Sequence, residues 1–181
     1  MLDMQVSFRD IRSFAKNKHA EKNQLYAGQP YEYHLERVEE KLIFYGYDSA
    51  AYRAAAWLHD TVEDTDTTVA EIMNVFGEAV ARLVWAVTGV GPNRKIRNQS
   101  IYQKLGDYPA ACPLKVADRL VNHETTMHDP ALNGPSIKHL SMYLSERAEF
   151  EKAVKGHVHH KMWTALQKQY EEMDTSLNNS R

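Results

Sequence analysis

The chain has 181 residues, 43% of them hydrophobic and 25% charged, which is typical of one globular domain rather than of a disordered chain. With 22 Lys and Arg against 24 Asp and Glu, the net charge of −2 argues against bulk binding to nucleic acid or anionic lipid. No apolar run approaches the length of a membrane span, no signal-peptide pattern is present, and the single Cys112 excludes an intrachain disulfide. We therefore expect a cytoplasmic protein.

Apolar residues recur at helical spacing along most of the chain. The predicted helices run over residues 31–44, 49–59, 68–76, 79–87, 113–126, 136–155 and 158–173. Gly46 and Gly77 are predicted to end the first and third of these, and residues 89–92 are predicted to form a turn. Few segments alternate with the period of a strand, so we predict an all-α fold, with one helical-bundle domain over residues 1–173. The polar segment 174–181 is predicted to be a frayed tail.

Polar residues interrupt the apolar faces of two predicted helices. The alanine-rich helix over residues 49–59 runs directly into His59 and Asp60, where a charge is costly unless it is paired or bound to a metal. Four polar residues share one face of the helix over 113–126 because they follow one another at three- and four-residue steps: Lys115, Asp118, Asn122 and Thr125. This stripe is either a solvated flank or the wall of a site, and composition alone favours the flank.

His34 lies near the start of the helix predicted over residues 31–44. Taken alone, a histidine among aromatic residues is more often structural than a ligand. Combined with His59, Asp60 and Asp118, it completes a set of two imidazoles and two carboxylates. Such mixed ligands suit Mn²⁺, Fe²⁺, Co²⁺ or Zn²⁺ and leave coordination positions for water and substrate. The set therefore predicts a metal centre suited to phosphate ester or anhydride hydrolysis.

Two acids, Glu63 and Asp64, begin four residues after His59. At that spacing both carboxylates could lie near the same metal and accept the proton of an attacking water. The alternative is an ordinary solvated turn, because Asp66 makes the whole stretch acidic. Given the ligand set, the catalytic interpretation is favoured.

Four segments, in the same order along the chain, resemble elements of the RelA/SpoT-type hydrolases of the HD-domain family. They are residues 28–34 with GxPYxxH, 59–65 with HDxVEDT, 76–88 with FGxxVAxLVxxVT, and 115–122 with KLADRLxN. The resemblance covers roughly residues 15–128, which makes it far more specific than a lone His-Asp dipeptide. It implies an all-α fold and a stand-alone small alarmone hydrolase.

The resemblance also implies roles for individual residues. The family's metal ligands correspond to His34, His59, Asp60 and Asp118, and the family metal is Mn²⁺. The acids that orient and deprotonate the attacking water correspond to Glu63 and Asp64. On the helix over 113–126, Arg119 and Asn122 correspond to family residues near the substrate, and Thr125 corresponds to a family threonine. Lys115, on the same face, is a further candidate for substrate binding. The implied reaction removes the pyrophosphate from the ribose 3′ position of (p)ppGpp, the alarmone of the stringent response.

One element of the family pattern is missing. The family often carries an Arg-Lys pair before the GxPY element, and this chain has Gln24-Leu25 or Leu25-Tyr26 there. Tyr26 could instead stack on a base. A basic cluster follows the turn over 89–92 and could clamp an anionic substrate: Arg94, Lys95 and Arg97. A solvated loop is an equal alternative for this cluster.

The missing pair leaves other functions open. The same metal chemistry could act on another phosphorylated nucleotide, such as NADPH at its 2′-phosphate. A protein-binding or nucleotide-sensing module with a retired active site is a third hypothesis, which the complete set of charged residues argues against. A small phosphorylated nucleotide is the expected partner, and neither nucleic acid nor membrane is expected. Residues 142–144 could serve a homodimer contact, although they are more typical of a core.

Overall fold

The apolar repeats fold into helices, which confirms the all-α class; the computed structural model describes residues 6–180. The first half comprises α1 (Phe8–Glu21), a hairpin of β1 (Leu25–Tyr26) and β2 (Gln29–Pro30), α2 (Glu32–Phe44), α3 (Ala50–Leu58), the single turn α4 (Thr61–Asp64), α5 (Val69–Phe76) and α6 (Glu78–Val87). The second half comprises α7 (Arg94–Asp107), a 3₁₀ turn (Pro109–Ala111), α8 (Cys112–Met127), α9 (Ile137–Val154) and α10 (His160–Asn179). Within the described part of the chain, no helix combines the length and hydropathy needed to cross a membrane.

Helix α8 lies at the centre of the molecule, packed against α2, α3, α6, α9 and α10. Its apolar residues are almost completely buried: Leu114, Val116, Ala117, Leu120 and Val121. On another side of the core, α3 packs closely against α2, because the buried Ala54, Ala55 and Ala56 allow a short distance between helix axes. The start of α2, the end of α3 and the middle of α8 therefore lie close together.

Helix ends follow the capping signals in the sequence. The Ser49 and Thr68 hydroxyls accept hydrogen bonds from backbone N–H groups at the starts of α3 and α5, as helix N-caps do. Gly77 has a φ of +90°, which allows α5 to end and α6 to begin at one residue. The predicted ends near Gly46 and Gly77 are confirmed.

Four parts of the chain differ from the sequence-based expectation. Helix α1 and the β hairpin were not predicted; the hairpin turn has positive φ at both Ala27 and Gly28, as a two-residue turn of this kind requires. The basic cluster predicted on a loop lies in the first turn of α7, which Asn93 caps by accepting a hydrogen bond from the Ile96 N–H. Helix α10 continues as far as Asn179, through the segment that was predicted to be frayed. The prediction of fraying is therefore wrong. The domain limit at residue 173 stays a prediction.

Candidate metal centre and active site

Four predicted ligands converge where α2, α3 and α8 meet. The His59 Nε2 lies 2.9 Å from Asp60 Oδ2 and 3.8 Å from Asp118 Oδ1. The His34 Nε2 lies 3.3 Å from Asp118 Oδ1 and 3.5 Å from Asp60 Oδ2. Ligand atoms of His34, His59 and Asp118 lie within 4.8 Å of one another, and all three residues are buried. The fold therefore brings His34, His59 and Asp118 to one point, with Asp60 in contact with both imidazoles.

The ring orientation of His59 is fixed by the end of α3. Its Nδ1–H donates a hydrogen bond of 2.8 Å to the Ala56 carbonyl oxygen, which leaves Nε2 to face the carboxylates. This buried Nε2 has no hydrogen-bond partner among the described residues. A buried imidazole nitrogen that is held toward two carboxylate oxygens and lacks a hydrogen bond fits a divalent metal cation.

The charges of the cluster also fit a cation. Burial alone lowers the pKa of His59, but the carboxylates of Asp60 and Asp118 outweigh it and raise that pKa to about 10. Burial alone raises the pKa of both aspartic acids, yet their cationic neighbours hold each pKa well below its ordinary value. The carboxylates thus stabilise positive charge at this point, and either protons or a metal cation can supply it.

A second layer of hydrogen bonds orients the two carboxylates. The Tyr31 hydroxyl donates to Asp60 Oδ2 at 2.7 Å. Asn122 and Lys115 donate to the two oxygens of Asp118 at 2.6 Å and 2.8 Å. Such outer partners fix the direction of a ligand atom and tune its basicity.

A cavity of about 220 Å³ opens onto this cluster. Its walls carry the carboxylates of Glu63 and Asp64, both on α4. Glu63 accepts a hydrogen bond of 2.8 Å from the Gly89 N–H, and its other oxygen lies 3.4 Å from Arg97 Nε. Burial, followed by the charges of Asp60 and Glu63, raises the pKa of Asp64 to about 6. The cavity therefore contains one carboxylate held by hydrogen bonding at its rim and one whose pKa is raised above its ordinary value.

The structure separates the predicted substrate-binding residues into three groups. Most line the cavity at the ligand cluster: Arg94, Arg97, Lys115, Arg119 and Asn122. Tyr26 and Thr125 line an adjoining cavity of about 310 Å³, which shares Arg94, Asn122 and Tyr143 with the first. Lys95 is exposed and lines neither of these cavities.

Several residues of the site escaped the sequence analysis. Tyr31 and Tyr143 line the cavity, and Glu146 contacts two of its arginines. Tyr31 lies inside the GxPYxxH element, so that motif offered a signal for it. Tyr143 and Glu146 are on α9, and their partners on α7 and α8 are far away in sequence, so no local pattern identifies them.

Comparisons with known proteins define the class of this fold and site. Residues 12–106 match the HD domain, and the chain belongs to this family. The match includes His34, His59 and Asp60, whereas Asp118 lies beyond its end.

Individual relatives show which members of the HD-domain family the chain resembles. A guanosine-3′,5′-bis(diphosphate) 3′-pyrophosphohydrolase of Aquifex aeolicus is 44% identical over 117 residues, which are 62% of this chain but only 16% of that protein. The mouse enzyme of the same name, MESH1, is 34% identical over 125 residues, which are 68% of this chain and 69% of that protein. The resemblance to the RelA/SpoT-type hydrolases is thereby confirmed.

Solved structures agree with the fold. A metazoan ortholog of SpoT, described as hydrolysing ppGpp, superposes with a TM-score of 0.73 at 23% identity, covering 94% of this chain and 96% of that one. A Listeria monocytogenes protein superposes with a TM-score of 0.58 at 20% identity, covering 76% and 99%. At these identities the structural matches establish the shared helical fold.

Proposed function

We propose that the chain is a metal-dependent pyrophosphohydrolase that removes the 3′-pyrophosphate of (p)ppGpp. The observation that carries this proposal is the convergence of His34, His59, Asp60 and Asp118 at the end of a cavity lined by basic side chains. The curated relatives named for this reaction support the choice of substrate.

His34, His59, Asp60 and Asp118 would hold the metal, which we propose to be Mn²⁺. Bound there, a divalent cation would neutralise phosphate charge and activate a water. Imidazole and carboxylate ligands also suit Fe²⁺, Co²⁺ and Zn²⁺, so the metal itself is a matter for titration. The proposed cellular location is the cytoplasm.

The two acids of α4 have separate proposed roles. Asp64 is the proton acceptor for the attacking water, since a base works best when its pKa lies near the operating pH and burial raises the pKa of Asp64 to about 6. Glu63 orients the water and also anchors the turn before α7 through the Gly89 N–H. This arrangement keeps Arg97 beside the cavity.

The basic walls would hold the phosphates of the substrate. Arg94 and Arg97 at the start of α7 and Lys115 and Arg119 on α8 surround the cavity, where cations offset the charge that repels a nucleophile. The adjoining cavity, with Asn122, Tyr26 and Thr125 in its walls, would hold the nucleoside. A molecule with a nucleoside and a terminal diphosphate fits two cavities that share a wall.

A second candidate is the same chemistry on another phosphorylated nucleotide, such as NADPH. It is favoured by the segment that lacks the family's Arg-Lys pair. Gln24 Oε1 there accepts a hydrogen bond of 2.5 Å from the Nδ1–H of the buried His19 ring, and Leu25 is 65% exposed. Neither side chain supplies a cation for a nucleotide. A retired sensing module remains a third, less favoured hypothesis.

The test is a substrate panel with the metal-stripped protein. ppGpp, pppGpp and NADPH are each incubated with and without Mn²⁺, and GDP, GTP, pyrophosphate and phosphate are measured. Mn²⁺-dependent release of GDP and pyrophosphate from ppGpp supports the proposal. Release of phosphate from NADPH alone moves the assignment to the second candidate, and tight nucleotide binding without turnover in any divalent metal supports the third.

A further inference from the structure

Glu146 on α9 joins two arginines of the cavity wall. Its Oε1 lies 2.6 Å from Arg94 Nε, and its Oε2 lies 3.1 Å from an Arg94 terminal nitrogen. The same Oε2 lies 2.9 Å from an Arg119 terminal nitrogen. Both carboxylate oxygens are therefore used, and Arg94 is held in the two-bond geometry that fixes a guanidinium plane.

Glu146 restrains the positions of the two arginine side chains to different degrees. The Arg119 side chain is 4% exposed and its guanidinium lies over the rings of Tyr143 and Phe150, at 4.8 Å and 4.3 Å. The Arg94 side chain is 44% exposed and contacts one ring, that of Tyr143, at 5.4 Å. Packing thus fixes Arg119, whereas Glu146 is the main restraint on Arg94.

The charges around the cavity are unevenly matched. Lys115 is paired with Asp118 and Arg97 with Glu63. Arg94 and Arg119 share a single carboxylate, which leaves one positive charge in excess at this wall. Glu146 itself is not among the residues that line the cavity in the described part of the chain, so it does not stand in the way of an anion.

We propose that Glu146 is a positioning residue, which holds the Arg94 guanidinium at the cavity so that Arg94 and Arg119 together receive the diphosphate of the substrate. Glu146 touches neither substrate nor reacting atoms and acts through Arg94. The inference rests on the proposed function for the identity of the substrate. The excess positive charge of Arg94 and Arg119 thus contributes to substrate binding and not to the chemical step.

The test is Glu146→Gln, which preserves shape and removes the charge. Because a hydrogen bond between charged groups is lost, KM for ppGpp is expected to rise about tenfold while kcat changes by less than about twofold. Glu149→Gln is the matched control, since Glu149 lies exposed on the same helix and the charge change is identical. Glu149→Gln is expected to leave both constants unchanged.

A double-mutant cycle with Arg94→Ala tests whether Glu146 affects KM through Arg94. If Glu146 acts through Arg94, Glu146→Gln adds little to KM in the Arg94→Ala protein. A full additional rise in KM, or a fall in kcat with KM unchanged, overturns the positioning role. Should Glu146→Gln fail to fold, Glu146→Asp retains the charge but is one methylene shorter, and an unchanged KM in that variant also overturns it.

Binding of inorganic pyrophosphate separates this inference from the proposed function. Calorimetry compares the wild-type protein with Glu146→Gln and Glu149→Gln. Weaker pyrophosphate binding in Glu146→Gln alone, by about tenfold, supports the inference even if ppGpp is not hydrolysed. Equal binding by all three proteins overturns it even if ppGpp is a good substrate.

Discussion

The Tyr26 hydroxyl donates a hydrogen bond of 2.9 Å to the Asn122 side-chain oxygen. Asn122 in turn donates to Asp118 Oδ1 at 2.6 Å, and the centre of the Tyr26 ring lies 4.4 Å from that of His34. Tyr26, which could stack on a substrate base according to the sequence, also contacts His34 of the proposed ligand set through its ring. The β hairpin therefore contacts the candidate metal centre directly.

Tyr26→Phe removes this hydroxyl and keeps the ring against His34. Partners that orient a ligand from outside strongly affect metal affinity, and Tyr26 is one bond further away, so we expect Mn²⁺ to bind about threefold to tenfold more weakly. Titration of the metal-stripped protein measures the affinity. Tyr33→Phe, on the half-exposed Tyr33, is the control, and equal affinities in the two variants would contradict the role of the hydrogen bond.

Arg97 and Lys95 provide a matched test of the cavity wall. Arg97 lines the cavity beside Glu63, whereas Lys95, on the same turn of α7, is exposed and does not line it. Arg97→Gln is expected to raise KM for ppGpp about tenfold, and Lys95→Gln to leave it unchanged. Steady-state kinetics at fixed ionic strength measure KM for both variants. An equal rise in KM for the two variants would indicate a general influence of net charge and contradict a specific role for Arg97.

Gly89 is needed where the turn before α7 approaches the cavity. A Cβ at this position would lie 2.8 Å from Arg97 Cβ and 3.2 Å from Glu63 Oε1, so Gly89→Ala must displace at least one of these side chains. We expect lower thermal stability and a lower kcat/KM for ppGpp. Gly106→Ala is the control, since nothing lies within 4 Å of its Cβ and alanine in a helix should stabilise the protein by up to about 1 kcal/mol. Unimpaired turnover in Gly89→Ala would contradict the importance of this contact.

Buried His123 makes stability depend on pH. Its ring lies between Tyr143 and Tyr170, and burial, reinforced by the nearby Arg119 charge, lowers its pKa to about 3. In the unfolded chain the same imidazole has its ordinary pKa near 6.5, so between about pH 6.5 and 3 the unfolded state binds the extra proton. Stability from this group is therefore complete above pH 6.5 and is lost as the pH falls.

The expected loss from His123 is about 2 kcal/mol between pH 7 and pH 5. Denaturant unfolding at both pH values, in wild type and in His123→Gln, measures it. The variant, which cannot titrate at this position, should lose about 2 kcal/mol less than wild type over this interval. Parallel losses in the two proteins would show that other groups account for the acid sensitivity.

The predictable helices are those with a continuous apolar stripe. α6 and α8 have one, and both were predicted within one residue or two of their observed ends. α1 buries Ile11, Ala15 and His19, and α7 buries Ile101 and Leu105, too few apolar residues for the pattern to emerge. In α10 the polar last turns remain helical because backbone hydrogen bonding continues to Asn179. The spacing of hydrophobic residues does not predict a polar helical turn of this kind.

The site was predictable where its residues lie close together in the sequence. His59 with Asp60, and Glu63 with Asp64, stand in one short motif. The chemistry of a mixed ligand set and the resemblance to the RelA/SpoT-type hydrolases together suggested His34 and Asp118 as their partners. Glu146 could not be found in this way, since its partners Arg94 and Arg119 are 52 and 27 residues distant. Their proximity is a result of the packing of α7, α8 and α9.

The central claim is that Asp118 and the other three proposed ligands, His34, His59 and Asp60, hold a metal. In this proposal, release of pyrophosphate from ppGpp depends on that metal. The most direct measurement is this release by metal-stripped wild-type and Asp118→Asn proteins as Mn²⁺ is added. We predict Mn²⁺-dependent release by wild type and at least about a hundredfold lower rate in Asp118→Asn, with helical content retained. Asp107→Asn, at the exposed end of α7, should behave as wild type. An undiminished rate in folded Asp118→Asn, or metal-independent release by wild type, would contradict the account.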